Sequence, residues 1–106
     1  MMKTVTTVFQ ALADPTRRMI LERLRAQGPL SIKQLSEPFS ISRQAVTKHL
    51  DILLDSGLVD ERRVGRERLH SLDPAPLRQI EAWLRPYSEE WDRRLERLQR
   101  HLEEQR

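Results

Sequence analysis

Ser31 and Ser42 stand eleven positions apart in SIKQLSEPFSISRQAVTKHLDILL, residues 31–54, and each opens a run with helical apolar spacing. Little chain is left between the two runs, which constrains the fold more than any other feature of the sequence. Ser31 precedes Gln34 by three residues, the spacing of a capping box, and Ile32 and Leu35 give that helix one apolar face. The helix must stop before Pro38, because the residue ahead of a proline is pushed out of the helical region. Phe39 and Ile41 fall in the connector, and Ser42 is the N-cap of a second helix that sends Ala45, Val46, Leu50, Leu53 and Leu54 toward a core. Its other face carries Arg43, Gln44, Thr47, Lys48 and Asp51. Two short helices joined by a tight turn, the second with a polar N-terminal front, form the helix-turn-helix pattern.

The flanking segments supply the packing partners. Val5, Val8, Phe9 and Leu12 recur at helical spacing, Asp14 and Pro15 predict an N-cap and first helical position, and the next helix runs from Pro15 to about Ala26 before Gly28-Pro29 ends it. Gly57 closes the second helix of the motif. Leu58 and Val59 then start a strand that turns at Val64-Gly65-Arg66 and returns through Leu69 and Leu72. Arg62, Arg63, Arg66 and Arg68 make this hairpin the most basic compact region of the chain.

From about residue 75 to 104 the chain reads as helical, with a break or kink expected between Leu84 and Tyr87 because Pro86 lies there. Leu84, Tyr87, Trp91, Leu95, Leu98 and Leu102 form an apolar stripe longer than this core needs, and a second copy of the chain is its simplest partner. Trp83 and Trp91 are read as interface core rather than as an effector pocket.

The length of 106 residues allows one domain, 1–106, and one fold must supply the function. A net charge of +3 permits an anionic partner without naming it, since 19 basic residues are offset by 16 acidic ones. The absence of cysteine removes disulfides, thiolate metal sites and cysteine nucleophiles. With no signal peptide or membrane span in its sequence pattern, the chain is expected in the cytoplasm. His49 reads as a packing or hydrogen-bonding residue, and His70 as a group at the sheet surface. No serine-centred motif or paired carboxylates accompany them, so no enzyme and no cofactor is expected.

The residues therefore point to double-stranded DNA. Ser42, Arg43, Gln44, Thr47 and Lys48 would meet the major groove, Arg43 and Gln44 being the best base readers, while Arg62, Arg63, Arg66 and Arg68 meet the flanking backbone or minor groove. A protein-interaction module that keeps the same fold, and an activator or nucleoid-type binder, are the rival readings.

ALADPTRRMILERL, SIKQLSEPFSISRQAVTKHLDILLDSGLV and RRVGRERLHSLDP together resemble the winged-helix repressors of the arsenic-repressor (ArsR) type, over nearly the whole chain to about Arg94. The resemblance implies a mostly α fold with one β-hairpin, a winged helix-turn-helix, and a bacterial, homodimeric transcriptional repressor. Ser42 to Leu54 would be its recognition helix and Arg62 to Leu69 its wing. The first and last helices would form the dimer interface, through Val8, Leu12, Leu84, Tyr87, Trp91, Leu95, Leu98 and Leu102. Metal-sensing members carry a cysteine pair in the helix here spelled Ile32 to Glu37, or Asp and His ligands on the last helix. This chain has no cysteine, and Arg94 and Arg97 flank Asp92, His101 and Glu104, so no metal site is expected and any effector is unidentified.

Overall fold

The computed structural model describes residues 4–38 and 40–105; Phe39, assigned above to the connector, lies outside them. The elements run α1 (Val5–Leu12), α2 (Pro15–Gln27), α3 (Ile32–Ser36), α4 (Arg43–Ser56), β1 (Val59–Val64), β2 (Glu67–Leu72) and α5 (Leu77–Glu104). Each helix boundary read from a capping residue is present. Asp14 accepts from the Thr16 and Arg17 backbone N–H groups at 2.8 and 3.1 Å, with Pro15 at the first helical position. Ser31 and Gln34 complete a reciprocal capping box, and Ser42 accepts from the Ala45 N–H at 3.1 Å. Gly57 closes α4 at φ 82°, a left-handed conformation that a Cβ disfavours.

Arginines of α2 tie the neighbouring helix ends to it. Arg17 Nε and Nη2 donate to the Ala11 and Gln10 carbonyls at 2.7 and 2.9 Å, and Arg18 Nη1 donates to Leu12 at 2.7 Å, so the open carbonyls at the end of α1 are satisfied by side chains. Arg23 Nη1 does the same for Gln34 and Leu35 of α3 at 2.9 and 3.2 Å.

The Asp14 cap also carries an acid dependence. Burial alone raises its carboxyl pKa, but the Arg17 and Thr16 backbone N–H groups, with attraction to His49 and Arg17, outweigh burial and hold it below the ordinary value. A carboxylate lowered in the folded state stabilises above its unfolded pKa and loses that contribution as pH falls through the folded one. Asp14→Ala is expected to cost about 1 kcal/mol in urea unfolding at neutral pH, and the difference from wild type should shrink in acid. Equal stability at neutral pH would contradict this role for the cap.

The core is built from Val8 and Ala11 of α1, Ile20, Leu21 and Leu24 of α2, Leu30, Leu35, then Val46, Leu50 and Leu53 of α4, and Leu58 and Val59 entering β1. Val46, Leu50 and Leu53 recur at helical spacing, so α4 presents one buried face and leaves Arg43, Gln44 and Lys48 outside.

Strands β1 and β2 pair antiparallel with Val59 opposite Leu72 and Val64 opposite Glu67, leaving a two-residue loop, Gly65-Arg66. Gly65 has φ 63° and no non-glycine residue has positive φ among the described residues, the pattern of a hairpin turn with glycine first. Leu30 adds a bridge to the outer side of β2, exchanging backbone bonds of 3.0 and 2.8 Å with His70.

His70 corrects the sequence reading. It is 1% exposed rather than at the sheet surface, with Nδ1 3.2 Å from the Leu30 carbonyl and Nε2 3.5 Å from Glu61. The register puts His70 on the face it shares with buried Val59 and half-buried Leu72, while Leu30 pairs along the edge of β2 and supplies the carbonyl that its ring meets.

Of the break or kink expected at Pro86 the break is absent, and one residue assigned to the dimer interface changes place. Helix α5 runs unbroken through Pro86 for 28 residues. The carbonyl freed by the missing proline N–H belongs to Ala82, an exposed residue, where water can serve it. Val8, assigned to the dimer interface, is 0% exposed and belongs to the core of its own chain. Phe9 is the α1 aromatic that reaches the surface, because Val8 and Ala11 occupy the inward side.

Candidate nucleic-acid interface

The polar front of α4 begins at its cap. Arg43, Gln44 and Lys48 are exposed and make no side-chain hydrogen bond or ion pair among the described residues. Gln44 and Lys48 are one turn apart, so their side chains lie on one strip of the helix. Ser42 and Thr47 differ from them. The Ser42 hydroxyl accepts from Ala45, and the Thr47 hydroxyl donates to the Arg43 carbonyl at 2.8 Å, so both are engaged with the helix backbone. Each keeps acceptor capacity for an outside donor.

The hairpin separates the four arginines that the sequence places together. Arg63 and Arg68 are cross-strand partners on one face, Arg62 opposes Leu69 on the other, and Arg66 occupies the tip. Arg68 Nη1 lies 3.3 Å from Glu61, whose other carboxylate oxygen faces the buried His70. Arg68 is thus partly neutralised, whereas Arg62, Arg63 and Arg66 carry no ion pair among the described residues.

Lys33 is the residue that sequence reading passed over. It lines an open groove of about 300 Å³ with Ser31, Ile32, Arg66, Glu67 and Arg68, so α3 contributes a cation beside the wing. Thirty-two residues lie between Lys33 and Arg66, and no periodicity links them; the Leu30–His70 bridge, just ahead of α3, docks that segment on β2 and brings them together.

Along α5, Leu84, Tyr87, Trp91, Leu95, Leu98 and Leu102 are all exposed, spaced by three or four residues, and Trp91 is 60% exposed. Leu12 is half-buried against the core. Phe9 meets Trp83 edge-to-face at 5.6 Å, and Trp83 meets Tyr87 at 5.0 Å, so an aromatic chain joins α1 to the stripe. At the far end, His101 Nε2 lies 3.0 Å from Gln105 Nε2. No three His, Asp or Glu side chains converge as metal ligands among the described residues, and no described helix is long and apolar enough to cross a membrane.

A family model described as a helix-turn-helix domain matches residues 12–62, from the end of α1 into β1. The HTH-type transcriptional regulator Rv2034 of Mycobacterium tuberculosis is 48% identical over 69 residues, 65% of this chain and 64% of its own length, so the match spans just under two thirds of that relative. The transcriptional repressor SdpR of Bacillus subtilis is 32% identical over 80 residues, 76% of this chain and 88% of its own. Among solved structures, an ArsR-like transcriptional regulator from Rhodococcus sp. RHA1 superposes with TM-score 0.69 at 39% identity, covering 91% of this chain and 90% of that one. The chain belongs to the ArsR family. A second structure of this ArsR-type fold, the homodimeric winged helix-turn-helix DNA-binding domain Mb0332 from Mycobacterium bovis, superposes with TM-score 0.63 at 26% identity over 81% of this chain and 79% of that one. In ArsR terms, α3 and α4 are the helix-turn-helix and β1–β2 the wing, as the resemblance implied.

Proposed function

We propose that this ArsR-family chain is a homodimeric, sequence-specific DNA-binding repressor, folded as one domain and acting by occupying a promoter operator. The observation that carries the reading is the unpartnered front of α4, where Arg43, Gln44 and Lys48 project from a helix whose opposite face is fully spent on the core. Free donors and acceptors on such a helix suit base edges in the major groove, with Ser42 and Thr47 placed for phosphate or base contact. Arg62, Arg63 and Arg66, with Arg68 in a lesser role, and Lys33 beside them meet the flanking backbone. Repression rather than activation follows the name of SdpR, and the dimer follows the apolar stripe of α5 and the homodimeric state of Mb0332.

The stripe Leu84, Tyr87, Trp91, Leu95, Leu98 and Leu102, with Leu12 at its edge, is the proposed contact between copies, and Phe9 and Trp83 join it. Two copies place two α4 helices on one duplex, so the operator is expected to be palindromic with half-sites about one helical turn apart. Nothing in the described side chains assembles a nucleophile, base and orienting group, and the proposed activity is binding alone, in the cytoplasm, without a metal or other cofactor.

Selection from a random duplex library tests the proposal: a two-fold-symmetric consensus is expected, and recovery of unrelated sequences would overturn it. Lys33→Ala and Arg66→Ala are each expected to weaken cognate and random duplexes alike and to lower the salt slope of log affinity by about one. Titration at several salt concentrations reads this, and an unchanged slope for Lys33→Ala would remove it from the interface.

A further inference from the structure

The Arg17 guanidinium spans three elements. Beyond its two bonds to the end of α1, its Nη1 lies 3.3 Å from His49 Nδ1 on α4, the helix that carries Gln44 and Lys48. Guanidinium has only donors, so this contact is a hydrogen bond only when His49 Nδ1 is a bare acceptor and the ring proton sits on Nε2. The Asp14 carboxylate waits 4.0 Å from the same nitrogen and is the only carboxylate within that distance of the ring among the described residues. A protonated Nδ1 can donate only to Asp14, and its charge then faces Arg17.

One nitrogen therefore has two mutually exclusive partners. The surroundings leave little else to respond: α1 carries no ionisable side chain, and the positions one turn from His49 on α4 are Ala45, Val46, Ile52 and Leu53. The contact joins two functional elements, because Arg17 grips the last carbonyls of α1, the helix whose Phe9 meets Trp83, while His49 lies beside Lys48 on α4.

We propose that Arg17 is a positioning residue that holds α4 against α1 through unprotonated His49, and that protonation of His49 hands the ring to Asp14 and releases α4 from that clasp. The effect on DNA rests on the binding reading above; the clasp itself does not. Protonation of His49 then weakens operator binding, and a pH dependence that disappears with His49 is its signature.

Operator affinity is to be measured with the full chain at about pH 8 and about pH 5 for wild type, His49→Asn and His49→Leu. Asparagine supplies an amide oxygen near the place of Nδ1, accepts from Arg17 and takes up no proton in this range; leucine removes the acceptor. Wild type is expected to weaken on acidification by about fivefold or more beyond His49→Asn, which keeps neutral-pH affinity, while His49→Leu is weak at both pH values. Sedimentation should find all three in the same oligomeric state. The same pH dependence in wild type and His49→Asn overturns the proposal. Amide NMR signals of Gln10 and Ala11 in the DNA-free protein give a second reading, expected to follow pH in wild type and stay flat in His49→Asn. Signals that follow pH in a chain that selects no DNA keep the clasp and discard the DNA reading, and signals flat in wild type discard the clasp.

Discussion

Leu95→Asp is expected to separate the two copies and to weaken operator binding by about a hundredfold to ten-thousandfold, the range gained when two linked modules bind together. Leu95 lies mid-stripe between Trp91 and Leu98, all three exposed in one chain. Covering apolar surface contributes roughly 25 cal/mol for each Å². A carboxylate placed there removes that gain and must also be desolvated, once from each copy. Core residues of the single chain are untouched, since α5 contributes none of the fully buried side chains. Sedimentation and DNA titration check the two halves of the expectation. A wild-type chain that is monomeric at micromolar concentration would end the dimer proposal, and a dimeric Leu95→Asp would move the interface elsewhere. Loss of folding together with loss of dimer is also consistent, because assembly and stability are linked in small dimers.

The second large effect falls on specificity. Gln44→Ala should cost about 1 to 3 kcal/mol on the selected operator, which is roughly fivefold to more than a hundredfold in affinity, and little on random duplex. Glutamine can place a donor and an acceptor on one adenine edge, and Gln44 has no internal partner among the described residues to lose in doing so. Thr47→Ala is a useful contrast, since its hydroxyl proton is already given to the Arg43 carbonyl and less of it is free for DNA. Paired titrations of cognate and random DNA separate the two contributions. An unchanged preference in Gln44→Ala would show that another residue reads the bases.

Much of this architecture is visible in local chemistry. Asp14, Ser31 and Ser42 announce helix starts because a side chain two or three residues away satisfies the open N–H groups, and Gly57 and Gly65 announce positive φ because other residues are strained there. The exposed front of α4 follows in the same way from helical spacing against Val46, Leu50 and Leu53.

Where two elements meet, spacing along the chain was silent. Val8 and Phe9 are adjacent and both apolar, and only the packing of α1 on the core sends one inward and leaves the other for Trp83. His70 shares its strand face with Val59 and Leu72, but that this face is the one turned to the core is set by packing, and there Glu61 draws Arg68 out of the basic cluster. Lys33 reaches the wing, and Arg17 reaches His49, across gaps in sequence that carry no periodic signal. The sequence by itself determined the helices, their caps, the hairpin and the polar face that suits DNA, because those depend on interactions within a few residues. Tertiary structure decided which apolar side chains are spent inside, which arginines stay free and which histidine sits in the core, because burial and pairing depend on what the rest of the chain places opposite them.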